Sequence, residues 1–92
     1  MLRVDYEALG EASSTLSAQG TIFEDCISEM TRVVESLPDV WEADTCDRYV
    51  EQYGEYKQAL DAVRELIEDM SVQMQKISDN FAQADADMAG QM

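Results

Sequence analysis

The sequence contains no histidine and only six basic residues against 20 acidic ones, which gives a formal net charge of −14. Without histidine, the chain cannot build Ser–His or Cys–His nucleophile pairs or most zinc sites. We therefore predict that the protein is not an enzyme and binds no cofactor or metal. The few lysines and arginines are scattered, so they form no cluster that could neutralise phosphates. Nucleic acid is excluded as a partner on this ground.

Long hydrophobic runs are also missing from the sequence. No stretch approaches the roughly 20 apolar residues that a transmembrane helix needs, so we predict no stable insertion into a membrane. The first residues, from Met1 to Asp5, contain no apolar segment of the kind that a cleavable secretory signal peptide requires. The protein is therefore expected to be either cytosolic or exported by another route.

Apolar residues recur at heptad spacing in two long segments. The first segment has one column of Leu2, Leu9, Leu16, Phe23, Met30 and Leu37, interleaved with Ala12, Gln19, Cys26 and Val33. The second alternates spacings of three and four through Cys46, Tyr49, Tyr53, Tyr56, Leu60, Val63, Ile67, Met70, Met74, Ile77, Phe81, Ala84 and Met88. This alternation is typical of the seam between packed helices and does not suit a strand. The predicted fold class is all-α, an antiparallel two-helix hairpin.

The break between the two segments contains the single proline and the single tryptophan. Pro38 lacks an N–H group and disfavours helical geometry at Leu37, so the first helix should end just before it. Asp44 and Asp47 suit the positive end of a second helix dipole. We predict one helical-hairpin domain over 1–92, with helix 1 at about 4–36, an elbow at 37–43, helix 2 at about 44–86 and a flexible acidic tail to residue 92.

The apolar stripe is wider than a single hairpin needs. Residues beside the predicted seam add a third apolar column, which is typical of helices in a four-helix bundle. We therefore predict that the hairpin dimerises into a four-helix bundle, with itself as a homodimer or with a related hairpin chain. The predicted dimer interface consists of Gly20, Ile22, Ile27, Val34, Val50, Ala59 and Leu66.

The two cysteines are not expected to form a disulfide. In the predicted hairpin, Cys26 lies roughly 12 Å further along the axis than the residues opposite Cys46. A disulfide requires Cα atoms within about 7 Å of each other. Both cysteines are therefore predicted to be free thiols in the seam.

Two short motifs lie at the ends of the predicted helices. Trp41, Glu42 and Ala43 occupy the elbow, and Phe81 is followed four residues later by Asp85 near the C-terminus. Together with the length, acidity and hairpin pattern, these motifs resemble the Trp-X-Gly (WXG) family of ESAT-like substrates of type VII secretion. The resemblance covers the whole chain. Ala43 stands where the family has glycine, and Phe81 stands where its C-terminal signal usually has tyrosine.

The resemblance implies antiparallel hairpins that pair into four-helix bundles, are made in the bacterial cytoplasm and are secreted without a cleaved signal peptide. It also implies that Phe81 and Asp85 form a C-terminal secretion signal that contacts the type VII secretion ATPase, with Trp41 contributing from the elbow. Structural roles for the same residues remain open: Trp41 as a plug at the end of the bundle, Phe81 as a seam residue and Asp85 as solvated surface. Two other functions remain open, a targeting partner of a larger secreted effector and an intracellular coiled-coil adaptor.

Overall fold

Two long antiparallel helices make up the protein, for which a computed structural model describes residues 3–90. Helix α1 spans Tyr6–Ser36, a short 3₁₀ helix spans Leu37–Asp39, and helix α2 spans Asp44–Gly90. The described part of the chain contains no strand. The hairpin measures 74 × 19 × 16 Å. The predicted all-α hairpin is confirmed; Leu2, which the heptad pattern assigned to the seam, lies outside the described residues.

The helix ends follow from local chain chemistry. The Asp5 carboxylate accepts a hydrogen bond from the Ala8 N–H at 3.0 Å, which satisfies one of the free donors in the first turn of α1. Pro38 lies in the first turn of the 3₁₀ helix, where a missing N–H group breaks no hydrogen bond. At the start of α2, the Ala43 carbonyl accepts from the Cys46 N–H at 3.0 Å.

Helix α2 extends further than the sequence predicts. It continues to Gly90 instead of ending near residue 86, so the segment predicted as a flexible tail is helical as far as the structure describes it. The Gln83 side chain donates to the Asp87 carboxylate at 2.9 Å one turn later. The Tyr6 hydroxyl donates to Asp85 from α1. Neither contact follows from the apolar pattern of the sequence.

The line of closest contact between the helices is formed by small and polar residues. Its buried members are Ser13, Gly20 and Ile27 on α1 and Cys46, Ser71 and Ser78 on α2. Hydroxyl groups in this line are satisfied across the hairpin, since Ser13 Oγ donates to the Ser71 carbonyl at 2.6 Å and Ser78 Oγ donates to the Tyr6 carbonyl at 2.6 Å. We call this line the inner contact.

The predicted seam splits into two columns in the structure. One column lies half-buried along the edge of the inner contact and contains Leu9, Leu16, Phe23, Tyr53, Leu60, Ile67, Met74 and Phe81. The other column is exposed and contains Ala12, Gln19, Cys26, Val33, Tyr49, Tyr56, Val63, Met70 and Ile77. The seam assignment was therefore wrong for the second column, because a count of apolar residues overlooks the small and polar residues on which the helices meet.

The predicted dimer interface needs a matching correction. Gly20 and Ile27 are buried within the single hairpin, and Val34 and Val50 are half-buried. A Cβ atom added to Gly20 would lie 2.9 Å from Cγ2 of Ile67 on α2, so glycine is what allows this close approach. Gly20 and Ile27 thus join α1 to α2 within the single hairpin. The remaining members of the predicted set are exposed: Ile22, Ala59 and Leu66.

Candidate functional site

One long side of the hairpin exposes large apolar side chains from both helices. We define the outer apolar face as Cys26, Met30, Val33, Tyr49, Tyr56, Val63, Leu66, Met70 and Ile77. Met30 and Val33 of α1 line a groove together with Tyr53 of α2, which shows that the two helices present their apolar columns on the same side. A surface of this length and composition marks a protein interaction site.

The other side of the hairpin is polar and carries ion pairs. Arg64 Nε lies 3.2 Å from the Glu24 carboxylate across the two helices, and the same guanidinium reaches Glu68 at 3.8 Å. Lys57 pairs with Asp61 at 3.0 Å on α2. Such partly exposed pairs contribute at most about 1 kcal/mol each, so they favour a hydrated surface more than they stabilise the fold. The hairpin therefore has one apolar and one hydrated side.

The elbow presents an aromatic pair. Trp41 remains 37% exposed, and its ring centroid lies 5.7 Å from that of Tyr49 with an angle of 36° between the planes. The backbone N–H of Trp41 donates to the Leu37 carbonyl at 2.8 Å, which fixes the chain at the end of the 3₁₀ helix. Trp41 is thus held in place at the elbow with part of its ring accessible.

Ala43 fits the elbow although glycine is usual at that position of the motif. None of the described residues has a positive φ angle, so this turn does not require the conformational freedom of glycine. Ala43 supplies the carbonyl that begins α2, and Glu42 beside it is exposed. Alanine at position 43 in place of glycine therefore causes no backbone strain in the elbow.

Near the C-terminal end of α2, Phe81 is half-buried and Asp85 is exposed. The Tyr6 hydroxyl donates to Asp85 Oδ2 at 3.2 Å. The negative charge of Asp85, followed by this hydrogen bond, raises the pKa of Tyr6. Tyr6 is not among the site residues predicted from the sequence, because no local pattern links it to a carboxylate so far along the chain.

The two cysteines occupy different environments. Cys26 is exposed on the outer apolar face, whereas Cys46 is buried, and both are free thiols. Burial raises the pKa of the Cys46 thiol, and the neighbouring charge of Asp47 adds to the shift. Across residues 3–90, no group of acidic, cysteine or histidine side chains is arranged to hold a metal ion. The same residues include no helix that is both long and apolar enough to cross a membrane.

Comparisons with known proteins agree with this architecture. The model of the WXG100 family, described as proteins of 100 residues with WXG, matches residues 1–86. The chain belongs to the WXG100 family, and the resemblance drawn from its sequence is confirmed. It is 23% identical over 91 residues to an ESAT-6-like protein of Streptococcus agalactiae, covering 99% of this chain and 95% of that protein.

A solved structure shares the fold over its full length. EsxA of Geobacillus thermodenitrificans superposes with a TM-score of 0.88 at 16% sequence identity, covering 100% of both chains. At this level of identity the likeness establishes the helical-hairpin fold. The function of the present chain has to be argued from its own surfaces and from its family.

Proposed function

We propose that this protein is a substrate or co-substrate of a type VII secretion system, made in the bacterial cytoplasm and exported as a paired helical hairpin. Its role depends on contacts with other proteins and not on catalysis. Membership of the WXG100 family supports export, because the family consists of small helical proteins secreted by this route without a cleaved signal peptide. The outer apolar face is the observation that carries the pairing.

The partner that best fits the outer apolar face is a second copy of this chain. The face follows both helices, so a matching hairpin would complete a four-helix bundle. Its side chains are about half exposed in the single hairpin, with Val63 at 44% and Met70 at 49%. Covering each of them would contribute roughly 1 kcal/mol, since full burial of such a side chain contributes about 1.5–3 kcal/mol.

The C-terminal part of the proposed export signal lies beyond this interface, whereas Trp41 borders it through its contact with Tyr49. Phe81 and Asp85 stand near the open end of the hairpin, and Trp41 stands at the elbow. Asp85 is exposed and the Trp41 ring is partly accessible. A secretion ATPase could therefore contact these residues while the outer apolar face is occupied by a second hairpin.

Export assays of aspartate variants test the signal. Asp85→Ala should leave a folded protein of unchanged mass in the cytoplasm and remove it from the culture supernatant. Asp87→Ala is the matched control, because it deletes another exposed carboxylate from the same helix. Secretion of both Asp85→Ala and Trp41→Ala at the wild-type level would contradict the proposal and favour an intracellular adaptor.

The mass in solution tests the pairing. Expressed alone, the protein should have twice the mass of one chain at micromolar concentration. A stable monomer would argue against the homodimer. It would indicate that the partner is a related hairpin, either a separate chain or the helical segment of a larger secreted effector. Co-expression with such a chain would then recover a complex of equal parts.

A further inference from the structure

Tyr6, in the first turn of α1, contacts α2 at two separate points. Its carbonyl oxygen accepts a hydrogen bond from Ser78 Oγ at 2.6 Å, and its hydroxyl donates to Asp85 Oδ2 at 3.2 Å. Gly10 gives Ser78 room to approach, since a Cβ atom at that position would lie 3.1 Å from the serine hydroxyl. The beginning of α1 is thereby fixed against the end of α2.

Helix geometry explains why the Tyr6 ring meets Asp85. Side chains of an α-helix tilt toward its N-terminus. Because α1 and α2 are antiparallel, the N-terminal direction of α1 is the C-terminal direction of α2. Asp85 lies about two helical turns beyond Ser78 in that direction. A tyrosine whose backbone is held at Ser78 is therefore aimed at the carboxylate of Asp85.

The electrostatics favour a lasting hydrogen bond. Helix α2 has no basic residue in its last turn, so the helix itself supplies no cation to compensate a negative charge near this end. The charge of Asp85 raises the pKa of Tyr6, and the carboxylates of Glu7 and Asp5 add smaller contributions. The phenol therefore stays protonated at physiological pH and can donate to Asp85.

We propose that Tyr6 is a positioning residue of the export signal, which holds the Asp85 carboxylate in the orientation that the secretion machinery contacts. The first turn of α1 thereby becomes part of a recognition surface that the C-terminal motif alone does not complete. This inference rests on the proposed role of Phe81 and Asp85. Phe81 stands where the family usually has tyrosine, and it has no hydroxyl group. The phenol that contacts the Asp85 carboxylate is that of Tyr6, on α1.

The contact itself can be tested in solution without any secretion assay. The ring carbon that bears the hydroxyl in Tyr6 is followed by NMR as the pH rises, in the wild type and in Asp85→Asn. Loss of the carboxylate charge should move the Tyr6 midpoint to lower pH. An unchanged Tyr6 midpoint would show that the contact is absent and would overturn the inference, whatever happens in export.

The role in export is tested with a conservative pair. Tyr6→Phe removes only the hydroxyl, and Thr21→Val is the control, because it removes an exposed hydroxyl of the same helix on the polar side, away from the outer apolar face. Both variants should keep the wild-type helicity and mass. Tyr6→Phe should be exported several-fold less than the wild type, and Thr21→Val should be exported normally.

The possible outcomes separate this inference from the proposed function. If Asp85→Ala is retained in the cell while Tyr6→Phe is exported like the wild type, the positioning role is wrong and the signal stands. If Asp85→Ala is itself exported normally, the signal fails and the role of Tyr6 fails with it. Retention of both variants, with Thr21→Val exported, supports the inference.

Discussion

The inner contact and the outer apolar face are built from opposite kinds of residue. The described residues bury only two hydrophobic side chains, Ile27 and Cys46, between the helices, where the other buried positions are serine or glycine. The outer apolar face instead carries valine, leucine, methionine and tyrosine side chains that remain exposed. The hairpin thus keeps its small residues inside and its large apolar residues outside.

The inner contact is suited to close approach of the two helices, and the outer apolar face is suited to association with a second hairpin. Small residues allow the two helix backbones to come together, but they bury little apolar area, so the inner contact alone provides limited stabilisation. A lone pair of helices has no third layer to cover the rest of its apolar surface. We expect much of the stability to come from the contact between two hairpins.

The largest effect is expected from a charge on the outer apolar face. Val63→Asp would place a carboxylate in the dimer contact without a partner, which costs several kcal/mol and should raise the dissociation constant about 100-fold or more. The variant should sediment as a monomer of reduced helicity at micromolar concentration. Analytical ultracentrifugation and circular dichroism measure both quantities.

Val72→Asp is the matched control for that substitution. Val72 is 45% exposed, close to the 44% of Val63, but it lies on the polar side beside Ser17 and Gln75. This variant should remain a dimer of normal helicity. Equal behaviour of the two variants would mean that the outer apolar face is not where hairpins pair.

An intermediate effect is expected from enlarging a residue of the inner contact. Gly20→Val would push a branched side chain against Ile67 and the Arg64 guanidinium, which stand 2.9 and 3.3 Å from the position of a Cβ atom. Overpacking of this kind costs about 1–3 kcal/mol, so the melting temperature should fall by several degrees. Gly54→Val is the control, because nothing lies within 4 Å of its Cβ position and its effect should be small.

The smallest effect concerns the reactivity of the two thiols. In single-cysteine variants, Cys46 should react with iodoacetamide at least about ten-fold more slowly than Cys26, because its thiol is buried and its pKa is raised. The rate at Cys26 should fall as the protein concentration rises, since pairing covers the outer apolar face. A rate at Cys26 that does not depend on concentration would place it outside the interface.

The Cys46 thiol makes a small contribution to the pH dependence of the free energy of unfolding. The pKa of folded Cys46 lies above that of an exposed thiol, which is about 8.5. The buried thiol therefore makes its full contribution to the free energy of unfolding below about pH 8.5, and this contribution declines as the pH rises further. Cys46→Ala should remove this dependence, as measured by denaturant unfolding over a range of alkaline pH.

The fold class could be predicted because it depends on local chemistry. Heptad spacing defines long helices, and Pro38 prevents α1 from continuing into the elbow. The assignment of faces failed because packing in the inner contact depends on small residues that carry no apolar signal, such as Ser13 and Ser71. Lys57 and Arg64 also lie half-buried along this contact, a placement that only the three-dimensional structure shows.

The candidate site was only partly accessible from the sequence. Trp41, Phe81 and Asp85 could be selected because their spacing resembles the motifs of a known family. Tyr6 could not be selected, because its contact with Asp85 joins residues 79 positions apart and depends on the exact register of the two helices. That register is set by Ser78 and the inner contact, which the apolar pattern did not identify.

In an antiparallel hairpin, the sequence separation of a cross-helix contact increases with its distance from the elbow. Contacts near the elbow join residues 22 positions apart, those near the middle join residues 40 apart, and the contact between Tyr6 and Asp85 joins residues 79 apart. Closing the longest loop directly costs about 1 kcal/mol more in chain entropy than closing the shortest. Folding should therefore proceed from the elbow toward the open end. Amide hydrogen exchange should be fastest at the open end. Both ends of the chain can then be released by local opening while the elbow stays folded.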